Sequence, residues 1–197
     1  MKKSIKNVSH LQDRNGIKYE VNSEKPFTGI LVKKYKNRQK KIEEHYKDGR
    51  LDGLVTEWYE NGQKKSEGNY TGDEQNGLFT YWDEEGQKES EGNYKVGMKD
   101  GLHTEWYENG QKKFEENYNY GEEDGLETEW YENGQKKFER NHRDGKEEGL
   151  WTQWWENGQK ESEGNIKNGK EEGLWTLWDT EGNVTETEIY KDGELVK

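Results

Sequence analysis

Glycine recurs at a fixed interval of 24 residues, and this period constrains the fold more than any other feature of the sequence. The column contains Gly29, Gly53, Gly77, Gly101, Gly125, Gly149 and Gly173. A fixed period of roughly 20–50 residues is typical of solenoids, propellers and linear repeat arrays. Because no insertion interrupts the period, residues 29–196 divide into seven repeats. They are 29–52, 53–76, 77–100, 101–124, 125–148, 149–172 and 173–196.

Each repeat contains two β-favouring runs separated by Asn-Gly, as in residues 54–59, Asn61-Gly62 and residues 64–70. Such runs around Asn-Gly predict a hairpin. A second turn, at residues 167–170 for example, leads into the next repeat. The repeat is too short for a crossover helix, so consecutive strands must be antiparallel. The sequence therefore predicts an all-β fold, an elongated array of hairpins that forms an open, twisted, single-layer meander sheet.

Charges favour one of two hairpin registers. A three-residue loop that ends in a glycine bulge places Glu57 opposite Lys65, and the same pairing recurs at residues 105 and 113 and at residues 129 and 137. Cross-strand pairs of opposite charge stabilise a sheet. A two-residue turn would instead place serine or phenylalanine opposite these glutamates. We therefore prefer the bulged loop.

This register predicts which face of the sheet is packed. Leu54 and Trp58 would lie on the same face as Gly68 and Tyr70, where rings can cover the glycine backbone. Tryptophan recurs in this column once per repeat, and we assign a structural role to Trp58, Trp82, Trp106, Trp130, Trp154 and Trp178. The reverse face is mostly charged.

Aromatic and apolar side chains break this charged pattern toward the C-terminus. Concentrated aromatic residues are typical of a contact surface. Two other interpretations are that a twisted sheet folds over these residues and that they cap the array. The predicted partner-binding residues are Trp151, Trp155, Trp175, Leu177, Tyr131 and Tyr107.

Residues 1–28 are predicted to form an N-terminal tail and a capping hairpin around Asn15-Gly16. Arg38 replaces the turn glycine of the first repeat, and we expect it to weaken or reshape that hairpin. Met1-Lys2-Lys3 resembles a signal-peptide start, but no apolar segment follows. The chain as it stands is therefore expected in the cytoplasm, and a leader removed earlier would instead make it secreted or surface-exposed.

Charge and composition limit the classes of ligand. The chain carries 31 Lys+Arg against 43 Asp+Glu, a formal net charge of −12. This balance argues against nucleic acid and against anionic membranes, and it favours a basic protein partner. Hydrophobic residues make up only 26%, which excludes a thick aliphatic core and a membrane span, although 9 Trp and 12 Tyr supply aromatic surface.

No catalytic residue, cofactor or metal site is predicted. Cysteine is absent, which removes thiolate nucleophiles and cysteine-based zinc sites. The histidines occupy different repeat positions without metal-ligand spacing, so we expect a solvated or strand-edge location for His10, His45, His103 and His142. The many glutamates recur because the repeat recurs, and we expect them to be solvated. A catalytic acid needs one distinct, desolvated environment, and this pattern offers none. We therefore expect a protein that is not an enzyme.

The run from Glu163 to Gly173 resembles the MORN repeat, with an Asn-Gly-Lys turn and a following glycine. The 24-residue spacing and the Trp-Tyr-x-Asn-Gly-Gln block are similar to the bacterial variant of that family. Ile17-Lys18-Tyr19 and residues 22–29 are similar to the start of YwqK-family antitoxins. The resemblance implies a non-enzymatic binding protein, with immunity against a co-encoded toxin as one attributed role.

Two functions follow from these observations. The first is a protein-binding scaffold, of the antitoxin or immunity type, that binds a basic partner such as a toxin. The second is a cell-surface or secreted adhesin that binds glycans through its Trp/Tyr ladder, since flat rings stack on sugars. Lipid binding, which the eukaryotic MORN name suggests, is disfavoured by the net charge. The oligomeric state stays open.

Overall fold

The computed structural model describes residues 6–197, which form strands and turns without a helix. These residues belong to two compact units, Met1–Met98 and Lys99–Lys197. Consecutive strands pair as antiparallel hairpins in both units, which confirms the predicted all-β repeat fold. Within each unit, the first and last strands of the hairpin series do not pair with each other, so neither sheet closes. The described residues include no helix that could span a membrane.

The first unit contains six long antiparallel strands, a short strand that pairs in parallel with the first of them, and a separate two-stranded hairpin. The strands are β1 (Asn7–Val8), β2 (Gln12–Arg14), β3 (Ile17–Tyr19), β4 (Gly29–Lys34), β5 (Lys40–Lys47), β6 (Arg50–Trp58), β7 (Lys64–Thr71), β8 (Glu74–Trp82) and β9 (Lys88–Lys95). Strands β4 to β9 pair in chain order, as alternating hairpins require.

The second unit continues the same hairpin pattern with one interruption, since β14 and β15 both pair with β13. Its strands are β10 (Met98–Trp106), β11 (Lys112–Asn119), β12 (Glu122–Trp130), β13 (Lys136–Arg143), β14 (Lys146–Glu147), β15 (Gly149–Trp154), β16 (Lys160–Lys167), β17 (Lys170–Trp178), β18 (Val184–Lys191) and β19 (Glu194–Leu195). Each pairs antiparallel with its neighbour.

The apolar cluster of the first unit lies between the N-terminal segment and the first strands of the hairpin series. Strands β2 and β3 form a hairpin whose turn residues, Asn15 and Gly16, have φ of 55° and 81°. Phe27, Leu31 and Tyr46 are buried together, and Val8, Leu11 and Leu51 pack against them. Met1-Lys2-Lys3 lies outside the described residues. The domain boundary after residue 28 and the seven repeat boundaries stay predictions.

The Asn-Gly loops have the predicted glycine bulge. Gly62 has a φ of 92° and donates its N–H to the Tyr59 carbonyl at 3.0 Å, while Tyr59 donates to the Gln63 carbonyl at 2.9 Å. In the first repeat Arg38 adopts the same conformation, with a φ of 74°. Its N–H donates to the Tyr35 carbonyl at 3.0 Å, so the expectation that Arg38 would reshape this hairpin is wrong.

The predicted strand register is wrong by one residue. Trp58 lies opposite Lys64, as the glycine loop requires, but a second bulge then places Glu57 opposite Ser66 instead of Lys65. The predicted charge pairs still form where the bulged lysine leans toward the glutamate. Lys137 Nζ lies 2.9 Å from a Glu129 carboxylate oxygen. The charge pattern was therefore compatible with both registers.

This shift exchanges the two faces of the sheet, because successive side chains of a strand point to opposite faces. Val55, instead of Leu54, lies opposite Gly68. The leucine column, predicted to be packed, is exposed, with Leu78 at 49%. The packed rings belong to a different row. Phe79 lies opposite Gly68 and contacts Tyr70 and Tyr94 edge-on, at centroid distances of 5.3 and 5.2 Å.

We call this line of cross-strand neighbours the central row and the face that carries it the row face. In the first unit the row consists of Leu31, Glu44, Val55, Gly68, Phe79 and Gly92. In the second unit the equivalent repeat positions are His103, Glu116, Glu127, Arg140, Trp151, Gly164, Trp175 and Glu188.

The structural tryptophan column lies on the opposite face, with the threonine column. All six tryptophans, Trp58, Trp82, Trp106, Trp130, Trp154 and Trp178, are half-buried. Lysine side chains lie over five of these rings, as Lys40 does over Trp58 at 5.2 Å. The same lysines form ion pairs with half-buried glutamates three residues along. The rings are therefore covered by flexible side chains instead of by glycine backbone.

We predict that Gly68→Ala lowers the free energy of unfolding by about 1–3 kcal/mol, as overpacking does. A Cβ atom at residue 68 would lie 2.2 Å from the Phe79 ring. Leu78→Ala on the exposed column is the control, with an expected change within about 0.5 kcal/mol. Urea unfolding followed by tryptophan fluorescence measures both. A larger loss for Leu78→Ala than for Gly68→Ala would contradict this assignment of faces.

Candidate functional site

Three of the predicted partner-binding residues form a ladder that joins one repeat to the next. The Tyr107 hydroxyl donates to the Trp130 carbonyl at 2.7 Å, and the Tyr131 hydroxyl donates to the Trp154 carbonyl at 2.9 Å. Trp155 donates its indole N–H to the Trp178 carbonyl at 3.2 Å. All three side chains are half-buried. Their polar atoms therefore have a structural role, and their contact with a partner stays a prediction.

The other three predicted residues lie close together on the row face of the second unit. The rings of Trp151 and Trp175 are 5.4 Å apart and tilted by 40°. Trp175 lies on the backbone of Gly164, where an added Cβ atom would come within 2.2 Å of the ring. Leu177 lies two residues beyond Trp175 and so points to the same face. We call Trp151, Trp175 and Leu177 the tryptophan patch.

Carboxylates surround the tryptophan patch on the row face. Glu188 lies directly opposite Trp175, and Glu186 lies directly opposite Leu177. Glu161 accepts a hydrogen bond from Gln153 at 2.6 Å, at the repeat position where Lys137 binds Glu129 one repeat earlier. The lysine of that position is thus replaced by a carboxylate in the sixth repeat. The patch combines aromatic surface with negative charge.

A buried polar cluster occupies the row face on β11, β12 and β13. Glu116 and Glu127 are directly opposite each other in the central row, and Arg140 lies opposite Glu127. Glu116 and Glu127 are 3% and 2% exposed, and His142 is 6% exposed. We call Glu116, Glu127, Arg140 and His142 the polar cluster. Burying ionisable groups is costly unless they are paired, so their contacts decide what the cluster can do.

Arg140 binds both carboxylate oxygens of Glu127, one of the two buried glutamates. Its Nε and Nη2 donate to Glu127 Oε2 and Oε1 at 2.6 and 3.0 Å, and its Nη1 donates to Glu147. Burial opposes the charge of Arg140, but the Glu127 and Glu147 carboxylates raise the pKa of its guanidinium above the usual value. Both oxygens of Glu127 are thus fixed by a bidentate pair.

Glu116 and His142 are only partly satisfied. The Tyr118 hydroxyl donates to Glu116 Oε2, whereas Glu116 Oε1 and His142 Nδ1 are buried without a hydrogen-bond partner. His142 Nε2 lies 3.3 Å from Glu123 Oε2. Burial raises the pKa of Glu116 to about 7, despite the Tyr118 hydroxyl, with added repulsion from Glu123 and Glu127. Burial and the Glu116 carboxylate likewise raise the pKa of Tyr118.

These observations correct two expectations drawn from the sequence. His142 is buried, not solvated, and Glu116 and Glu127 are desolvated acids in a chain that was expected to offer none. A signal was present in the sequence. Residues 68, 92 and 164 of one repeat position are glycine, but residues 116 and 140 are Glu and Arg. Such breaks in an otherwise regular column mark positions where the packing must differ.

Comparison with known families agrees with the repeat geometry. The model of the MORN repeat variant family matches residues 51–71, 75–95, 99–120, 123–144 and 147–168. These five segments cover more than half of the chain, so the protein belongs to the MORN repeat variant family. The family is a class of binding repeats that is not typically enzymatic, which supports a binding function. A search of curated proteins found no significant match.

We predict that Tyr131→Phe lowers the free energy of unfolding by about 0.5–1.5 kcal/mol, the net value of one hydrogen bond. The change removes the hydroxyl that donates to the Trp154 carbonyl and leaves the half-buried ring in place. Tyr107→Phe removes the equivalent bond one repeat earlier and should have the same effect. Urea unfolding measures both variants, and wild-type stability in the two of them would contradict a structural ladder.

Proposed function

We propose that this protein is a non-catalytic scaffold whose tryptophan patch binds a basic protein partner. The observation that carries the proposal is the side-by-side placement of Trp151 and Trp175 with carboxylates directly opposite Trp175 and Leu177. Tryptophan is enriched among the residues that dominate binding energy at interfaces. The surrounding carboxylates select partners of opposite charge and speed their association.

Membership in the MORN repeat variant family and the net charge of −12 support the same proposal. We further propose that the partner is a basic toxin and that this chain acts as its antitoxin or immunity protein. This finer assignment rests on the similarity of residues 17–29 to the start of YwqK-family antitoxins. A toxin gene beside the gene for this chain would supply the partner to be tested.

We predict that Trp151→Ala combined with Trp175→Ala weakens binding of that partner at least about tenfold, because two anchor rings are lost. Leu150→Ala combined with Leu174→Ala is the matched control on the opposite face. Those leucines are 50% and 57% exposed and should leave affinity unchanged. Isothermal titration calorimetry with the purified partner measures both. Equal losses in the two double variants would refute the patch as the binding surface.

A second variant separates electrostatics from packing. Glu186 is exposed and lies opposite Leu177, so Glu186→Lys reverses a charge beside the patch without disturbing the indoles. We expect slower association with the basic partner and a weaker dependence of affinity on salt. Binding of wild-type protein that is independent of salt would count against a basic partner.

The alternative function is glycan binding by a cell-surface or secreted adhesin. The observation that favours it is the pair of neighbouring half-exposed indoles, which offers two adjacent surfaces for sugar rings. A glycan array followed by quenching of tryptophan fluorescence tests this alternative. Quenching that disappears in the Trp151→Ala, Trp175→Ala variant, together with no binding to basic proteins, would favour the glycan function over the scaffold.

A further inference from the structure

The polar cluster presents three donor atoms to one another at short range. His142 Nδ1 lies 3.5 Å from Glu127 Oε2 and 4.0 Å from Glu116 Oε1. Within residues 6–197 this is the one group of three His, Asp or Glu side chains whose donor atoms all lie within 4.8 Å. The donors come from three neighbouring strands, β11, β12 and β13, so the sheet itself holds them together.

Two of these donors have no other partner. Glu116 Oε1 and His142 Nδ1 make no hydrogen bond, and their residues are only 3% and 6% exposed, so water does not replace the missing partner. A buried polar atom without a partner destabilises the folded chain, because it has lost its hydrogen bonds to water. The two atoms lie 4.0 Å from each other. A cation bound there would satisfy them together.

The remaining contacts of the cluster orient its donors as metal ligands require. A histidine that binds metal through one ring nitrogen usually donates its other N–H to a carboxylate, which fixes ring and tautomer. Here Glu123 Oε2 lies 3.3 Å from His142 Nε2, which leaves Nδ1 free to ligate. Arg140 orients Glu127 by donating one hydrogen bond to each of its carboxylate oxygens. Each of these oxygens keeps a second lone pair that could bind a metal.

The local charge also favours a cation. The cluster and the side chains that contact it contain four carboxyl groups and one guanidinium, namely Glu116, Glu123, Glu127, Glu147 and Arg140. A divalent cation would offset this excess of acidic groups. Imidazole with carboxylate oxygens suits Zn²⁺ and its first-row neighbours, whereas Mg²⁺ prefers oxygen ligands and water.

We propose that Glu116, Glu127 and His142 bind one divalent transition-metal cation and that this metal stabilises the second unit. The proposal is independent of the proposed scaffold function, since the tryptophan patch lies on other strands. Zn²⁺ bonds to His nitrogen and carboxylate oxygen at about 2.0–2.2 Å in a tetrahedral arrangement, so its donors lie about 3.4 Å apart. His142 Nδ1 is already 3.5 Å from Glu127 Oε2, and it would approach Glu116 Oε1, now at 4.0 Å, by about 0.6 Å.

The test is titration of the chelator-treated full chain with Zn²⁺ by isothermal calorimetry. We expect one Zn²⁺ per chain, a higher melting temperature with Zn²⁺, and no comparable effect of Mg²⁺. Glu116→Gln and His142→Asn should each weaken binding at least about tenfold. Glu123→Gln should keep the stoichiometry and weaken binding by about tenfold to a hundredfold, as loss of a ligand-orienting partner does.

His45→Asn is the matched control. His45 Nε2 lies 3.6 Å from Glu43 Oε1 in the first unit, a His–Glu pair without a third donor, and its loss should leave Zn²⁺ affinity unchanged. An NMR readout avoids variants that fail to fold, because diamagnetic Zn²⁺ should shift the imidazole signals of His142 alone in the wild-type chain. No Zn²⁺ binding, unchanged affinity in Glu116→Gln and His142→Asn, or shifts confined to another histidine would overturn the proposal.

Discussion

Burial in this protein depends on contact between neighbours within one face of a single sheet layer. Within the described part of each unit, the strands pair edge to edge in one layer, and in the first unit the N-terminal segment packs over Leu31 and Tyr46. Elsewhere on this face, a ring is buried when it packs flat against the backbone of an adjacent strand. Gly68 and Gly164 allow this, because a Cβ atom at either position would overlap the ring of Phe79 or Trp175. The central row is therefore the part of the sheet where packing is decided.

The same row supports two different kinds of surface in the second unit. Where glycine alternates with tryptophan, the row forms an aromatic patch that remains half-exposed, and this is the surface proposed to bind a partner. Where glutamate and arginine replace glycine, no ring can lie flat, and the polar cluster fills the space instead. Because each hairpin contacts only its neighbours, a repeat array can change the chemistry of one stretch without altering the next.

Much of the fold could be predicted because its signals are local. Asn61-Gly62 demands a left-handed turn conformation, and the structure has a bulged loop there. The second bulge beside Lys64 could not be predicted, since Lys137 and Glu129 form their ion pair in spite of the shifted register. Pairing of charged ends is tolerant of a one-residue shift, but the orientation of side chains is not. The leucine column was consequently assigned to the wrong face.

The candidate site, like the fold, could be predicted from the sequence only in part. The sequence indicated that aromatic residues concentrate in the last repeats. It did not indicate that Tyr107, Tyr131 and Trp155 donate hydrogen bonds to backbone carbonyls of the following repeat. His142 looked like one of several scattered histidines, because its neighbours in space are distant in the chain. Only breaks in the repeat columns hinted that its surroundings differ.

By itself, the sequence determined the period, the hairpins, the turn conformations and the acidic balance, because each depends on residue type and short-range spacing. The tertiary structure decided which face is packed and which side chains meet. Glu116, Glu127 and His142 become neighbours only after three strands align with a register shift between Glu116 and Tyr118. That alignment is set by the packing of neighbouring strands, since a shift of one residue moves every side chain of a strand to the other face.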